Sequence, residues 1–109
     1  MEKLQKTRKT SRGWVRRASK TLSDTLTAPT TTISQVEFAI KEFDRRLAKL
    51  DEAQEAIEVE VPEEELDKFL DKAHAFRTTS LQPRILAEGK IRELAAAAAG
   101  SGGIAGSVG

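Results

Sequence analysis

His74 is the sole histidine of this 109-residue chain. An acid–base or metal site built on it needs partner ligands at helical or loop spacing, and none is arranged around it. It reads as a half-exposed helix residue. The carboxylate cluster Glu58–Asp67 lacks the glycine turn and alternating ligands of a calcium loop. It reads as a solvated, acidic helix start. Gly100–Gly103 is followed by no Lys-Ser/Thr pair and preceded by no strand, so it reads as linker and not as a phosphate cradle. Arg16-Arg17-Ala18-Ser19 matches the pattern read by basophilic serine kinases, and a phosphate there would cut the positive charge of its face. No nucleophile, acid–base pair or ligand set emerges. The sequence therefore predicts a non-enzyme, with no catalytic residue, metal, cofactor or small-molecule substrate.

Charge carries more information. The net charge of +1 conceals a polarity along the chain. Up to residue 20, Lys3, Lys6, Arg8, Lys9, Arg12, Arg16, Arg17 and Lys20 face Glu2 alone. From Asp51 to Asp71 ten carboxylates face Lys68 alone. Such a polarity pairs helices, binds a polyanion, or aligns copies. The basic segment has two readings. Lys6, Arg8, Lys9, Arg12, Arg16 and Arg17 are candidates for contact with RNA, DNA or an anionic membrane through phosphates. Alternatively, the segment only solvates the N-terminus and pairs with the acidic stretch. No aromatic interleaves the charges before Trp14, so base stacking has no support. Trp14 reads as a core anchor.

The chain has no Cys, which removes disulfides and thiolate zinc sites, and no Asn, which removes N-glycosylation. No apolar run is long enough to span a membrane, and no signal-peptide core opens the chain. A cytoplasmic setting is the expectation.

The elements follow from periodicity. Ile33, Val36, Ile40, Phe43, Leu47, Leu50, Gln54, Ile57 and Val61 recur at alternating steps of three and four. This puts them on one helix face that needs a partner helix. Each large side chain buried there contributes roughly 1.5–3 kcal/mol before entropy. Thr32-x-x-Gln35 and Ser34-x-x-Glu37 both fit a capping box, and either opens this helix. An earlier helix carries Trp14, Val15, Ala18, Leu22 and Leu26. A later one carries Leu66, Phe69, Leu70, Ala73 and Phe76, opened by Pro62 and three glutamates.

The spacing predicts an all-α fold with coiled-coil-like packing: a three-helix bundle, or a long antiparallel hairpin preceded by a shorter basic helix. Residues 1–12 are expected to be a flexible basic segment. Residues 13–99 form the helical domain, with helices near 14–27, 32–58 and 62–99 and a break or kink near Pro83. Residues 100–109 are expected to be a flexible Gly/Ser tail. The packing candidates are Trp14, Leu22, Ile33, Val36, Ile40, Phe43, Leu47, Leu50, Phe69 and Phe76.

One order of features resembles a known family. Arg12-Gly13-Trp14-Val15-Arg16-Arg17-Ala18 leads to a Thr/Pro break. Glu42-Phe43-Asp44-Arg45-Arg46-Leu47 and Lys49-Leu50-Asp51-Glu52 come next, then an acidic break and Ala73-His74-Ala75-Phe76-Arg77. Over residues 8–95 this resembles the N-terminal, Gag-like helical region of BEL/Pao-type LTR retrotransposon polyproteins. The resemblance implies a structural, self-assembling segment of a longer polyprotein. It carries over no protease, polymerase or integrase activity, because the chain has no zinc knuckle and no Asp-Thr/Ser-Gly motif.

Overall fold

The structure is a computed structural model that describes residues 2–108, with side chains described through residue 99. Residues 100–108, expected as part of a flexible Gly/Ser tail, instead continue α3, and residue 109 lies outside the described residues. Three helices run in order: α1 Glu2–Thr27, α2 Ile33–Glu58 and α3 Glu63–Val108. Among the described residues there is no strand, and the all-α bundle expected from periodicity is what forms.

The turns explain the boundaries. The Thr27 and Thr31 hydroxyls donate to the carbonyls of Asp24 and Thr25, at 3.1 and 2.7 Å. These bonds satisfy carbonyls at the end of α1 that no further turn of helix reaches. Thr32 then caps α2. Its hydroxyl accepts from Gln35 N–H at 3.2 Å, and its own N–H donates to Gln35 Oε1 at 2.9 Å. Of the two capping boxes legible in the sequence, this is the one used. The second turn covers 59–62. Glu63, Glu64 and Glu65 fill the first turn of α3, where carboxylates favour the helix dipole.

Cross-helix contacts fix the topology. Asp44 and Asp51 of α2 meet Arg84 and Arg77 of α3, so these two helices are antiparallel. Arg8, Arg12 and Ser19 of α1 meet Phe69, Phe76 and Ser80 of α3, so these two are parallel. The bundle is up-down-up. Its core joins Val15, Ala18 and Leu22 of α1 to Val36, Ala39, Phe43, Leu47 and Leu50 of α2. Among the described residues of α3, only Ala87 is buried in this core, with Phe76, Leu81, Ile91 and Leu94 half-buried against it. The hairpin α1–α2 is thus the tight pair, and α3 lies along it through a mixed seam.

Two further features differ from the expectations. First, α1 begins at Glu2, so residues 1–12 do not form a flexible lead up to Gly13; the helix continues through both. Arg8 and Arg12 are held against α3 aromatics, and this offsets the roughly 1 kcal/mol that Gly13 costs relative to Ala. Second, of the break or kink expected near Pro83, the break does not form, because α3 continues through it. Proline removes the N–H that the Thr79 carbonyl would accept. In the same turn the Ser80 carbonyl accepts from Ser19 Oγ on α1, at 3.3 Å. The perturbed turn is therefore tied to a neighbouring helix.

Candidate functional site

The residues singled out for chemistry or binding fall on three surfaces. The first is the α1–α3 seam. Arg8 stacks over the Phe69 ring at 4.7 Å, and Arg12 and Arg16 both stack over Phe76 at 5.3 Å. The arginines are four apart on α1 and the phenylalanines seven apart on α3, so each set stays on one face. A cation over an aromatic face contributes about 0.5–2 kcal/mol according to its desolvation. Burial pulls the Arg12 guanidinium below its ordinary value, and the Arg8 and Arg16 cations beside it add to the shift. The Arg8 Nε is buried with no hydrogen-bond partner among the described residues, which leaves the Phe69 ring as its counterpart.

This changes the meaning of the basic segment. Arg8 and Arg12, expected as phosphate contacts, are half-buried within the bundle, while Arg16 stacks on Phe76 and stays exposed. Lys3, Lys6, Lys9 and Lys20 are exposed instead. With Arg16 and Arg17 they occupy the α1 face turned away from Val15, Ala18 and Leu22. The outward charge is therefore mostly lysine, and the seam is arginine.

The second surface is the α2–α3 seam. Arg84 grips Asp44 with two bonds, Nε–Oδ1 at 2.6 Å and Nη2–Oδ2 at 3.0 Å, and its third nitrogen reaches Glu88. These bonds hold the Arg84 guanidinium well above its ordinary value, the Asp44 pair first and Glu88 second. Arg77 and Asp51 repeat the pairing at 3.4 Å. Asp44 and Asp51 are seven apart on α2, and Arg77 and Arg84 seven apart on α3. The two bridges thus set the antiparallel register, and this matched spacing was a signal in the sequence that hydrophobic periodicity alone passes over. A shallow groove of about 410 Å³ lies beside them, lined by Gln54, Leu70, His74 and Arg77 among others. The Gln54 Nε2 is buried there without a partner among the described residues. His74 is exposed and stands on the rim. No three His, Asp or Glu side chains of the described residues come together as a metal-holding group.

The third surface is a groove between α1 and α2, on the side away from α3. It measures about 490 Å³ and has small residues on its floor: Ala18, Thr21, Thr25 and Ala39. Trp14 and Phe38 form its apolar walls. Trp14 corrects one expectation. It is 43% exposed and no core anchor, because Arg17 and Arg46 hold it from two sides at 5.3 and 4.2 Å. Arg46 is in turn fixed by Glu42 at 3.1 Å, and Arg45 joins the same carboxylate at 2.7 Å. The hydrogen bond from Arg45 leads the causes that hold the Glu42 carboxyl below its usual range. Phe38 escaped the sequence reading because it lies off the heptad stripe, and it is 73% exposed.

Of the other packing candidates, Leu22, Val36, Phe43, Leu47 and Leu50 are buried. Ile33, Ile40, Phe69 and Phe76 are half-buried.

Comparison with protein-family models, curated proteins and solved structures finds no match. The three surfaces therefore carry the functional reading. No helix among the described residues is long and apolar enough to cross a membrane.

Proposed function

We propose that this chain is a non-enzymatic helical assembly module that associates with further copies of itself through the open face of the α1–α2 hairpin. The observation that carries this reading is the groove walled by Trp14 and Phe38. A phenylalanine that is 73% exposed is a large apolar side chain left in water. Covering it contributes up to roughly 1.5–3 kcal/mol. The small floor lets another helix approach closely, as helix packing at about 8–10 Å requires. The Gag-like resemblance of residues 8–95 agrees with this reading. It adds the proposal that the chain is a segment of a retrotransposon-type polyprotein acting in the cytoplasm.

Light-scattering mass across a concentration series tests it. The parent chain should grow in mass with concentration, and Phe38→Lys should stay monomeric with unchanged helicity. A parent chain of constant monomer mass over the series rejects the reading.

A second reading is favoured by the outward lysines. Lys3, Lys6, Lys9 and Lys20, with Arg16 and Arg17, form a basic stripe along α1 for RNA or DNA phosphates.

A further inference from the structure

We propose that Ser19 is a phosphorylation site for a protein kinase that reads arginines two and three residues before its acceptor, and that the phosphate then holds α1 away from α3. Neither step depends on self-association of the chain.

Arg16 and Arg17 stand at the two recognition positions, and Ser19 is the acceptor. In the folded bundle all three are engaged. Arg16 stacks on Phe76 of α3, and Arg17 stacks on Trp14. Ser19 is half-buried and its Oγ donates to the Ser80 carbonyl at 3.3 Å. Ser80 itself is only 6% exposed and is the buried polar residue of the described core. The acceptor also lies inside a helix, whereas kinases act on mobile, accessible segments. The site is therefore masked while α1 is docked on α3, and it opens when that seam separates. The mixed character of the seam makes such an opening cheaper than parting α1 from α2, since α1 packs more extensively on α2 than on α3.

The chemistry of transfer is conventional. Ser19 Oγ attacks the γ-phosphorus of a nucleoside triphosphate supplied with the kinase. The bond from that phosphorus to the β–γ bridging oxygen breaks, the diphosphate leaves, and the hydroxyl proton passes to the base of the kinase.

The cleft beside Ser19 dictates the consequence. A phosphoserine carries a charge near −2 and only accepts hydrogen bonds once ionised. On α3 the cleft is lined by Phe76, Thr79, Ser80 and Pro83, with no cation among the described residues. The Ser80 carbonyl, formerly an acceptor for the hydroxyl, would face another acceptor. Asp24 on the cleft wall adds a like charge. The cations at hand, Arg16 and Lys20, belong to α1 itself. Pairing with the phosphate draws Arg16 off Phe76. One modification thus removes two α1–α3 contacts, the Ser19–Ser80 hydrogen bond and the Arg16–Phe76 stack. The contacts of Val15 and Leu22 with α2 are untouched, so the hairpin persists while α3 loosens.

The test uses the full chain with an arginine-directed serine kinase domain and ATP, read by intact mass and fragment-ion site mapping. Hydrogen exchange is measured on the modified product. Phosphate is expected on Ser19 and not in Ser19→Ala at that site. Phe76→Ala, which loosens the seam, should accept phosphate at least about fivefold faster. The parent chain in low urea should show the same acceleration, which covers the case of a Phe76→Ala chain that does not fold. In the phosphorylated chain, exchange over 76–84 should rise about tenfold, while 36–50 changes less than about twofold. Absence of phosphate on Ser19 under all three conditions overturns the site. Phosphate on Ser19 with unchanged exchange over 76–84 overturns the release of α3.

Discussion

At the scale of single residues, Phe43 is the most consequential side chain. It is fully buried at the centre of α2 and is the largest of the fully buried side chains. Phe43→Ala should lower stability by about 3–5 kcal/mol, through lost transfer energy and the cavity left behind. A small domain has about 5–15 kcal/mol in total, so a chemical-denaturation midpoint reports this clearly. Phe43→Asp adds an unpaired buried carboxylate and should abolish cooperative folding, seen as lost helicity. Retention of full helicity and a sharp transition by the Asp variant contradicts the burial of this stripe. Phe43 was legible in the sequence because the heptad spacing alone placed it. Trp14 was not, because its place depends on two arginines, and Arg46 comes from a different helix. A large aromatic reads as core by default. Here two guanidiniums hold it at the surface instead.

Between helices, the seams divide by chemistry. α1–α2 is apolar, α1–α3 is arginine on phenylalanine, and α2–α3 is arginine on aspartate. The last of these sets register, since sliding α3 by one turn would separate both Arg84–Asp44 and Arg77–Asp51. Arg84 and Asp44 therefore give a charge-swap test. Arg84→Asp places two carboxylates together and should destabilise by about 1–2 kcal/mol, and Asp44→Arg by a similar amount. The double swap should recover at least half of the summed loss, read as a positive coupling in a double-mutant cycle of urea midpoints. Additive losses would mean the bridge has no share in register. The limits of α2 were readable in the sequence because Thr32 and Gln35 are three residues apart and cap locally. The start of α1 was not, since Arg8 and Arg12 are stabilised by Phe69 and Phe76, some sixty residues on. Pro83 was read as a break or kink because local rules see only the lost N–H and the ring. In the structure the surrounding packing of α3 on its neighbours keeps the helix continuous.

Across the whole molecule, the division of the basic residues decides between the two functional readings. Arginine in the seam and lysine on the outer face make different predictions for nucleic acid. Counterion release requires accessible cations, because only they displace condensed ions from phosphates. If the outer stripe binds RNA, removing Lys3, Lys6, Lys9 and Lys20 together as Gln should cut the affinity sharply. The slope of log affinity against log salt should fall by about 3, since each phosphate neutralised on a single strand contributes about 0.7. Helicity should not change, because these four side chains are exposed. Arg8→Lys with Arg12→Lys should do the reverse. Charge is retained, so binding survives, but a compact ammonium stacks less well on Phe69 and Phe76, and stability falls by about 1 kcal/mol. Fluorescence anisotropy with a labelled single-stranded RNA, together with a urea titration of each variant, reads both quantities. No binding by the parent chain at about 50 mM salt removes the nucleic-acid reading. If Arg8→Gln with Arg12→Gln cut binding as much as the lysine set, the seam would open to RNA, since only then do Arg8 and Arg12 reach phosphates.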